Sequence, residues 1–360
     1  MKISIVRGAF LNPFELQNIY PLKDRHDIVT YSSLKPINSN INLPLVKLPS
    51  LTDIPLPFYK YPLLNRVFAD AHYLLGLEKK IAGSDIVHVA ETYYHYTHQA
   101  LVAKRKGLVK KVVSTVWETI PNNNESLKGR RTFKQEARQQ IDHFLAVTEK
   151  AKKALIVEGV GEEKITVVPL GVDLKKFNPI KKQRKGKVKI LFVGRLVEEK
   201  GVGDLVAAFL KLREKKLSVE LILLGDGPLK KDLVGIKGVK LTKSSYQSIS
   251  CFYSQADIFC LPSQSTKTWE EQYGMVLLEA MASGLPIVTT RTGAIQEVCG
   301  DVALYSHQKS SDNLAKNLEK LLVDHKLRKK LSSLSLKRAK KKYDHYQAAD
   351  RIETVYKNLF

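Results

Sequence analysis

Acidic residues are scarce in this sequence: 36 Asp and Glu stand against 59 Lys and Arg, a formal net charge of +23. An imbalance of that size predicts attraction to something anionic, whether nucleic acid, a phosphorylated substrate or an acidic lipid surface. Cysteine is scarce too, with Cys251, Cys260 and Cys299 all in the second half. Three thiols without paired spacing exclude a disulfide framework and a zinc site, and suit buried free thiols in a reducing compartment. No stretch approaches the roughly 18 uninterrupted apolar residues of a spanning helix. The opening Met1-Lys-Ile-Ser-Ile-Val is too short an apolar run for a signal peptide. The expectation is a cytoplasmic protein, with peripheral contact at the inner membrane face left open. A Gly-x-Gly-x-x-Gly fingerprint after a strand is also missing, which argues against a dinucleotide-dependent dehydrogenase.

What remains is ample for cores. The chain has 360 residues, 44% of them hydrophobic, enough for two domains of ordinary size. Strands are expected at residues 2–6, 28–31, 85–89, 111–116, 143–147 and 164–168. Arg7-Gly8-Ala9 turns out of the first, and Glu91 leads from the third into a helix ending near Gly107. Helices are expected at 130–140 and, capped by Thr148, at 149–158. Residues 36–58, rich in proline, serine and asparagine, read as an irregular loop. Tyr59 to Lys80 shows helical spacing of apolar residues, compatible with packing on its own sheet or with a lipid-facing amphipathic helix. His95 and His98 fall on the helix after Glu91 and read as surface or packing residues. The same alternation restarts at 189–193, with a helix to about Arg213, strands at 217–224, 239–241 and 258–261, and a helix at 246–254. From Asn313 onward the chain reads as helices. Two successive strand–helix alternations imply doubly wound parallel sheets.

The most informative stretch runs from Pro262 to Val288. The apolar strand 258–261 ends at Pro262-Ser263. A polar loop containing Trp269-Glu270-Glu271-Gln272-Tyr273-Gly274 follows, then a short helix from about Met275 closed by Gly284, and Pro286 opens the next strand. A loop at the carboxyl end of a strand feeding a helix is where open α/β sheets bind ligands. Gly274 at the helix mouth lets an anion approach free backbone N–H groups. Were the whole span helical, Glu271 and Glu279 would stand roughly 12 Å apart. That exceeds the roughly 5–9.5 Å of a hydrolytic carboxylate pair and suits one long, hydroxylated and phosphorylated ligand.

Glu271 and Glu279, within Glu-x-Tyr-Gly-x3-Leu-Glu-Ala-Met-Ala-x-Gly-x-Pro, resemble the signature of family 4 glycosyltransferases, retaining enzymes of the GT-B fold that use nucleotide-sugar donors. A second block, Ala146 to Leu155 with Glu163 to Asp173 and Phe177-x-Pro179, resembles the end of that family's first domain. The resemblance implies an α/β architecture of two Rossmann-like domains facing a central cleft, here 1–180 on the acceptor side and 181–342 on the nucleotide-sugar side. Residues 343–360 would form a terminal helix crossing back to the first domain.

The resemblance also implies roles. Arg195 and Lys200, in Gly-Arg-x4-Lys-Gly after a strand, would clamp the donor diphosphate. Glu271 would hold donor sugar hydroxyls and Glu279 the ribose, with backbone N–H groups around Gly274, Met275 and Val276 supporting the phosphates. With such a clamp no metal or other cofactor is expected. The acceptor side departs from the family, since many members carry a histidine where this chain has Trp117-Glu118, and another where it has Ala90, followed by Glu91. Gly8, Glu91, Trp117 and Glu118 are the acceptor-side candidates, each with an ordinary packing role as the alternative. The expected partners are a UDP- or GDP-sugar, a glycan or lipid-linked acceptor, and an anionic membrane in peripheral contact. The basic runs 175–187 and 326–342 read as solvated faces or as an electropositive surface. Two competing functions stay open: a nucleotide-sugar epimerase on the same fold, and a basic nucleic-acid-binding protein, although no recognition motif for specific nucleic acid is present.

Overall fold

The computed structural model describes residues 1–54, 69–179 and 186–360. They form two compact units, Met1–Leu170 with His345–Phe360, and Gly171–Asp344.

The first unit is built on a parallel sheet. Its strands are β1 (Lys2–Gly8), β2 (Asp27–Ser33), β3 (Leu45–Leu48), β4 (Ile86–Ala90), β5 (Lys111–Val116), β6 (His143–Ala146) and β7 (Ile165–Val167), in the order β3-β2-β1-β4-β5-β6-β7. Central strands of such a sheet are buried on both faces, so β4 reads as a continuous apolar run around one histidine. Alternation along β1 divides the core: Ile3 and Ile5 pack with the terminal helix His345–Lys357, while Val6 packs on the other face with the helix His95–Arg105. The terminal helix is tied down by polar contacts as well. Arg25 and His26 meet Glu353 at 2.5 and 2.9 Å. His88, fully buried in β4, bonds Tyr356 Oη at 2.5 Å and Thr115 Oγ1 at 2.6 Å. Burial pushes its pKa well down, so His88 is a neutral packing residue.

The second unit repeats the plan with β8 (Val188–Val193), β9 (Val219–Leu224), β10 (Val239–Thr242), β11 (Ile258–Leu261), β12 (Ile287–Thr290) and β13 (Ala303–Ser306), ordered β10-β9-β8-β11-β12-β13 and parallel throughout. The reversal of strand order between β8 and β11 makes the crevice at their carboxyl ends the expected ligand position. The helix Met275–Ala282 rises from that end. Behind it packs the long helix His325–Lys342, whose Ser332 Oγ donates to Gly284 O at 2.5 Å. Among the described residues no helix is long and apolar enough to cross a membrane.

Several expectations need correction. The presumed loop 36–58 contains β3, paired in parallel with β2, and a short 3-10 turn capped by Ser50 and Asp53. The first part of the helix expected over 59–80, residues 59–68, lies outside the described residues. Of its described part only Leu77–Lys80 is helical, and there Ala71, Leu74 and Leu77 are buried in the unit's own core. The helix expected at 246–254 is confined to Ser250–Gln255. The edge strand β13 was not anticipated.

Candidate functional site

In the second unit, the loop after β8 carries Arg195 and then a 3-10 turn, Glu198–Lys200, before the helix Val202–Glu214. The loop after β11 carries Ser263 and Glu271. The two loops meet: Lys200 Nζ donates to Glu271 Oε2 at 2.6 Å, and the same oxygen accepts from Ser263 Oγ at 2.8 Å. Both side chains are largely buried, and the Lys200 ammonium also lies 4.9 Å from the centroid of the Trp269 ring. Glu271 is anchored through its main chain, where its carbonyl accepts from Ala294 N at 2.9 Å. Glu271 Oε1 accepts no hydrogen bond among the described residues.

Gly274 adopts φ 78° at the N-cap of Met275–Ala282, a left-handed conformation that glycine tolerates without a side-chain penalty. It offers no capping side chain, and among the described residues the first-turn N–H groups of Met275 and Val276 have no hydrogen-bond partner. The helix therefore presents its positive end beside Glu271 and Lys200.

Arg195 is mostly exposed and sits 3.2 Å from Glu199. It borders a pocket of about 400 Å³ at the carboxyl ends of β8, β9 and β10, whose polar lining comes from Asp226, Lys243 and Ser244, and whose apolar lining includes Leu224 and Ile249. Lys243 holds Asp226 at 2.7 Å. None of these lining residues beyond Arg195 was singled out from the sequence. The only available hint was Gly225-Asp-Gly-Pro228 following a strand.

Glu279 lies on the buried side of the same helix. It accepts a 2.5 Å bond from Tyr253 Oη rather than joining Lys200. Burial pushes its pKa up to about 7, against the pull of Tyr253 and of the Lys176 ammonium. Lys176 in turn donates to Tyr246 O at 2.6 Å and stacks over the Tyr246 ring.

In the first unit Gly8, Glu91 and Trp117-Glu118 lie at or just past the carboxyl ends of the adjacent strands β1, β4 and β5. Glu91 takes φ 57°, unusual for a residue with a side chain. Its Oε1 accepts from Trp117 N at 2.8 Å and Glu118 N at 3.2 Å, while Oε2 is buried without a partner. Burial and the neighbouring Glu118 push its pKa up to about 8. Glu118 is turned into its own loop, accepting from Thr119 N, Ile120 N and the Asn123 amide. Gly8 lies against Tyr96 rather than any of the other three. Sequence reasoning missed Asp70, wholly buried, which accepts from His72 at 3.0 Å, from His95 N at 3.1 Å and from Arg130 at 2.6 Å, and so ties its loop to the helices His95–Arg105 and Lys128–Gln140.

Comparison with known proteins places this geometry. The family model "Glycosyl transferases group 1" matches residues 174–338, and "Glycosyltransferase Family 4" matches residues 23–176. An MMP alpha-(1->4)-mannosyltransferase of Mycolicibacterium hassiacum is 31% identical over 232 residues, covering 61% of this chain and 54% of that protein. The capsular polysaccharide biosynthesis glycosyltransferase CapM of Staphylococcus aureus is 27% identical over 260 residues, covering 64% and 67%. The matches thus span 54% and 67% of the lengths of these two curated relatives. The crystal structure of Anabaena HepE, in complex with UDP and glucose, shares the fold with a TM-score of 0.79 over 99% of each chain at 16% identity. By both domain matches and by its paired Rossmann-like sheets, the chain belongs to the family 4-like glycosyltransferases of the GT-B fold.

Proposed function

We propose that the second unit binds a nucleoside-diphosphate sugar and that the chain transfers the sugar, with retention at the anomeric carbon, to a hydroxyl of an acceptor held by the first unit. The observation that carries this reading is the meeting of Lys200 with Glu271 at the open mouth of Met275–Ala282, with Arg195 of the same post-β8 loop bordering the pocket at β8, β9 and β10. Arg195 and Lys200 hold the diphosphate and the charge it gains as the sugar leaves. The Met275 and Val276 N–H groups add to that hold. Glu271 Oε1 meets donor sugar hydroxyls, Glu279 the ribose, and the pocket at β8, β9 and β10 the base. As the acceptor oxygen bonds to the anomeric carbon, the sugar–phosphate bond breaks through an oxocarbenium-like state, and the hydroxyl proton is released.

The UDP and glucose bound to HepE support a UDP-hexose donor, with a GDP-sugar as the second choice. The capsular polysaccharide assignment of CapM supports a glycan or lipid-linked acceptor, met at the cytoplasmic membrane face. Glu91, Trp117 and the Gly8 turn belong to the acceptor side; Glu118, satisfied within its loop, acts there by holding the loop in place. The clamp works without a metal ion. A panel of UDP- and GDP-sugars in a thermal-shift assay tests the reading. The matching donor is expected to raise Tm, by about 2.7 kcal/mol of stabilisation at a hundredfold excess over Kd, and a chelator should leave the shift in place. No shift with any nucleotide sugar refutes the donor site. The anomeric configuration of the product, read by NMR, tests retention.

A further inference from the structure

The helix His325–Lys342 buries Leu331, Ser335 and Ala339 and has no acidic residue. At 100° per residue, Lys326, Lys329, Lys330, Lys337, Lys340 and Lys341 fall on an arc of about 120° directly opposite that buried stripe. All six are exposed, and none has an ion-pair partner among the described residues. Three other lysines of this unit are paired instead, Lys211 with Asp312 at 2.5 Å, and Lys215 with Glu319 and Lys240 with Glu220, both at 2.6 Å. Pairs three and four apart, such as Lys326 with Lys330 and Lys337 with Lys341, repel one another along the helix.

The two arginines do not join this face. Arg328 turns to Leu321 O at 2.9 Å, and Arg338 to Val298 O and Glu297 O, both at 2.7 Å. The charges of the outer face are therefore all lysine, suited to diffuse attraction by many phosphates rather than to bidentate recognition. It carries no aromatic residue for base stacking. Leu334 stands exposed among the lysines, an apolar tip within a basic face. The stripe runs for roughly 22 Å.

We propose that this lysine face docks on an anionic lipid surface, its ammonium groups meeting headgroup phosphates while Leu334 enters the interface. The contact depends on no step of the proposed sugar transfer, so either can fail without the other. The test is co-sedimentation of the full chain with phosphatidylcholine vesicles, with and without phosphatidylglycerol. Binding is expected only to the anionic vesicles and should weaken with salt. Neutralising Lys330, Lys337 and Lys341 together to glutamine should lower partitioning by roughly 100-fold with Tm unchanged. Neutralising the ion-paired Lys211, Lys215 and Lys240 removes as much charge and should leave most binding in place. Should the first triple variant fold poorly, Lys337→Gln and Leu334→Ser singly are expected to weaken vesicle binding. Equal partitioning onto both vesicle types, lysine-face variants that bind like the parent, or a loss confined to binding of a random oligonucleotide overturns the proposal.

Discussion

Lys200 Nζ and Glu271 Oε2 lie 2.6 Å apart although 71 residues separate them, and the contact joins the loops that follow β8 and β11. Removing the ammonium alone strands a buried carboxylate that keeps only the Ser263 hydroxyl. Lys200→Met is expected to cost on the order of 3 kcal/mol in chemical denaturation. Adding Glu271→Gln should recover much of that loss, a coupling a double-mutant cycle reads directly. Donor binding should stay absent in both single variants and in the double. Recovery of binding along with stability would make the pair a purely structural bridge.

Glu279 is held by Tyr253 on the buried side of its helix rather than open to solvent, so its proposed part in ribose recognition has a specific signature. The parent protein should favour UDP over 2′-deoxy-UDP by about tenfold, near 1.4 kcal/mol. Glu279→Gln should erase most of that preference while binding of inorganic pyrophosphate stays the same. A preference that survives the substitution would assign the ribose to another group.

Glu91 affects stability in the opposite sense to an ion-paired carboxylate. Its folded pKa is pushed from 4.5 up to about 8, so between those values the folded state keeps a proton that the unfolded state releases. Its contribution to stability is therefore fully present below pH 4.5 and is lost as pH rises through about 8. Glu91→Gln keeps the shape and removes the titration. The stability of the variant relative to the parent should rise steadily across that window, as measured by urea denaturation at several pH values. A flat difference would mean that Glu91 is ionised in the fold.

Gly293 takes φ 55°, and a Cβ there would stand 2.0 Å from Glu271 O. Gly293→Ala must displace the loop that aims Glu271, with an expected loss of about 3 kcal/mol and of donor affinity. Gly235, at φ 83° with nothing near its missing Cβ, is the control. Its alanine variant should cost only the left-handed backbone penalty of about 1 kcal/mol and leave donor binding alone.

The elements legible in the sequence were those with strong local causes. Ile258–Leu261 is a fully buried central strand and so reads as an uninterrupted apolar run. Met275–Ala282 was bounded by Gly274 and Gly284, and its position followed from that punctuation. The strands that escaped notice, Leu45–Leu48 and Ala303–Ser306, are both sheet edges. Edge strands are short and half exposed, and Pro44 and Pro49 flank the first of them, so neither shows the apolar run of a central strand. In the site, residue types and spacing indicated Arg195, Lys200, Glu271 and Glu279 as a group. They could not indicate that Glu271 would take Lys200 while Glu279 took Tyr253, because each partnership joins residues far apart in the chain, 71 and 26 positions respectively. The Asp70 junction with His72 and Arg130 was invisible for the same reason, having no local pattern to announce it.

We propose that Arg195, Lys200 and Glu271 act together on one nucleotide sugar in the second unit. Calorimetric titration of UDP-glucose and UDP into the parent protein and into Arg195→Ala tests it most directly. The expected result is single-site binding of both ligands to the parent, weakened at least tenfold by Arg195→Ala, since a charged hydrogen bond to a phosphate contributes about 1.5–3 kcal/mol. Binding that is undiminished in the variant would contradict the claim.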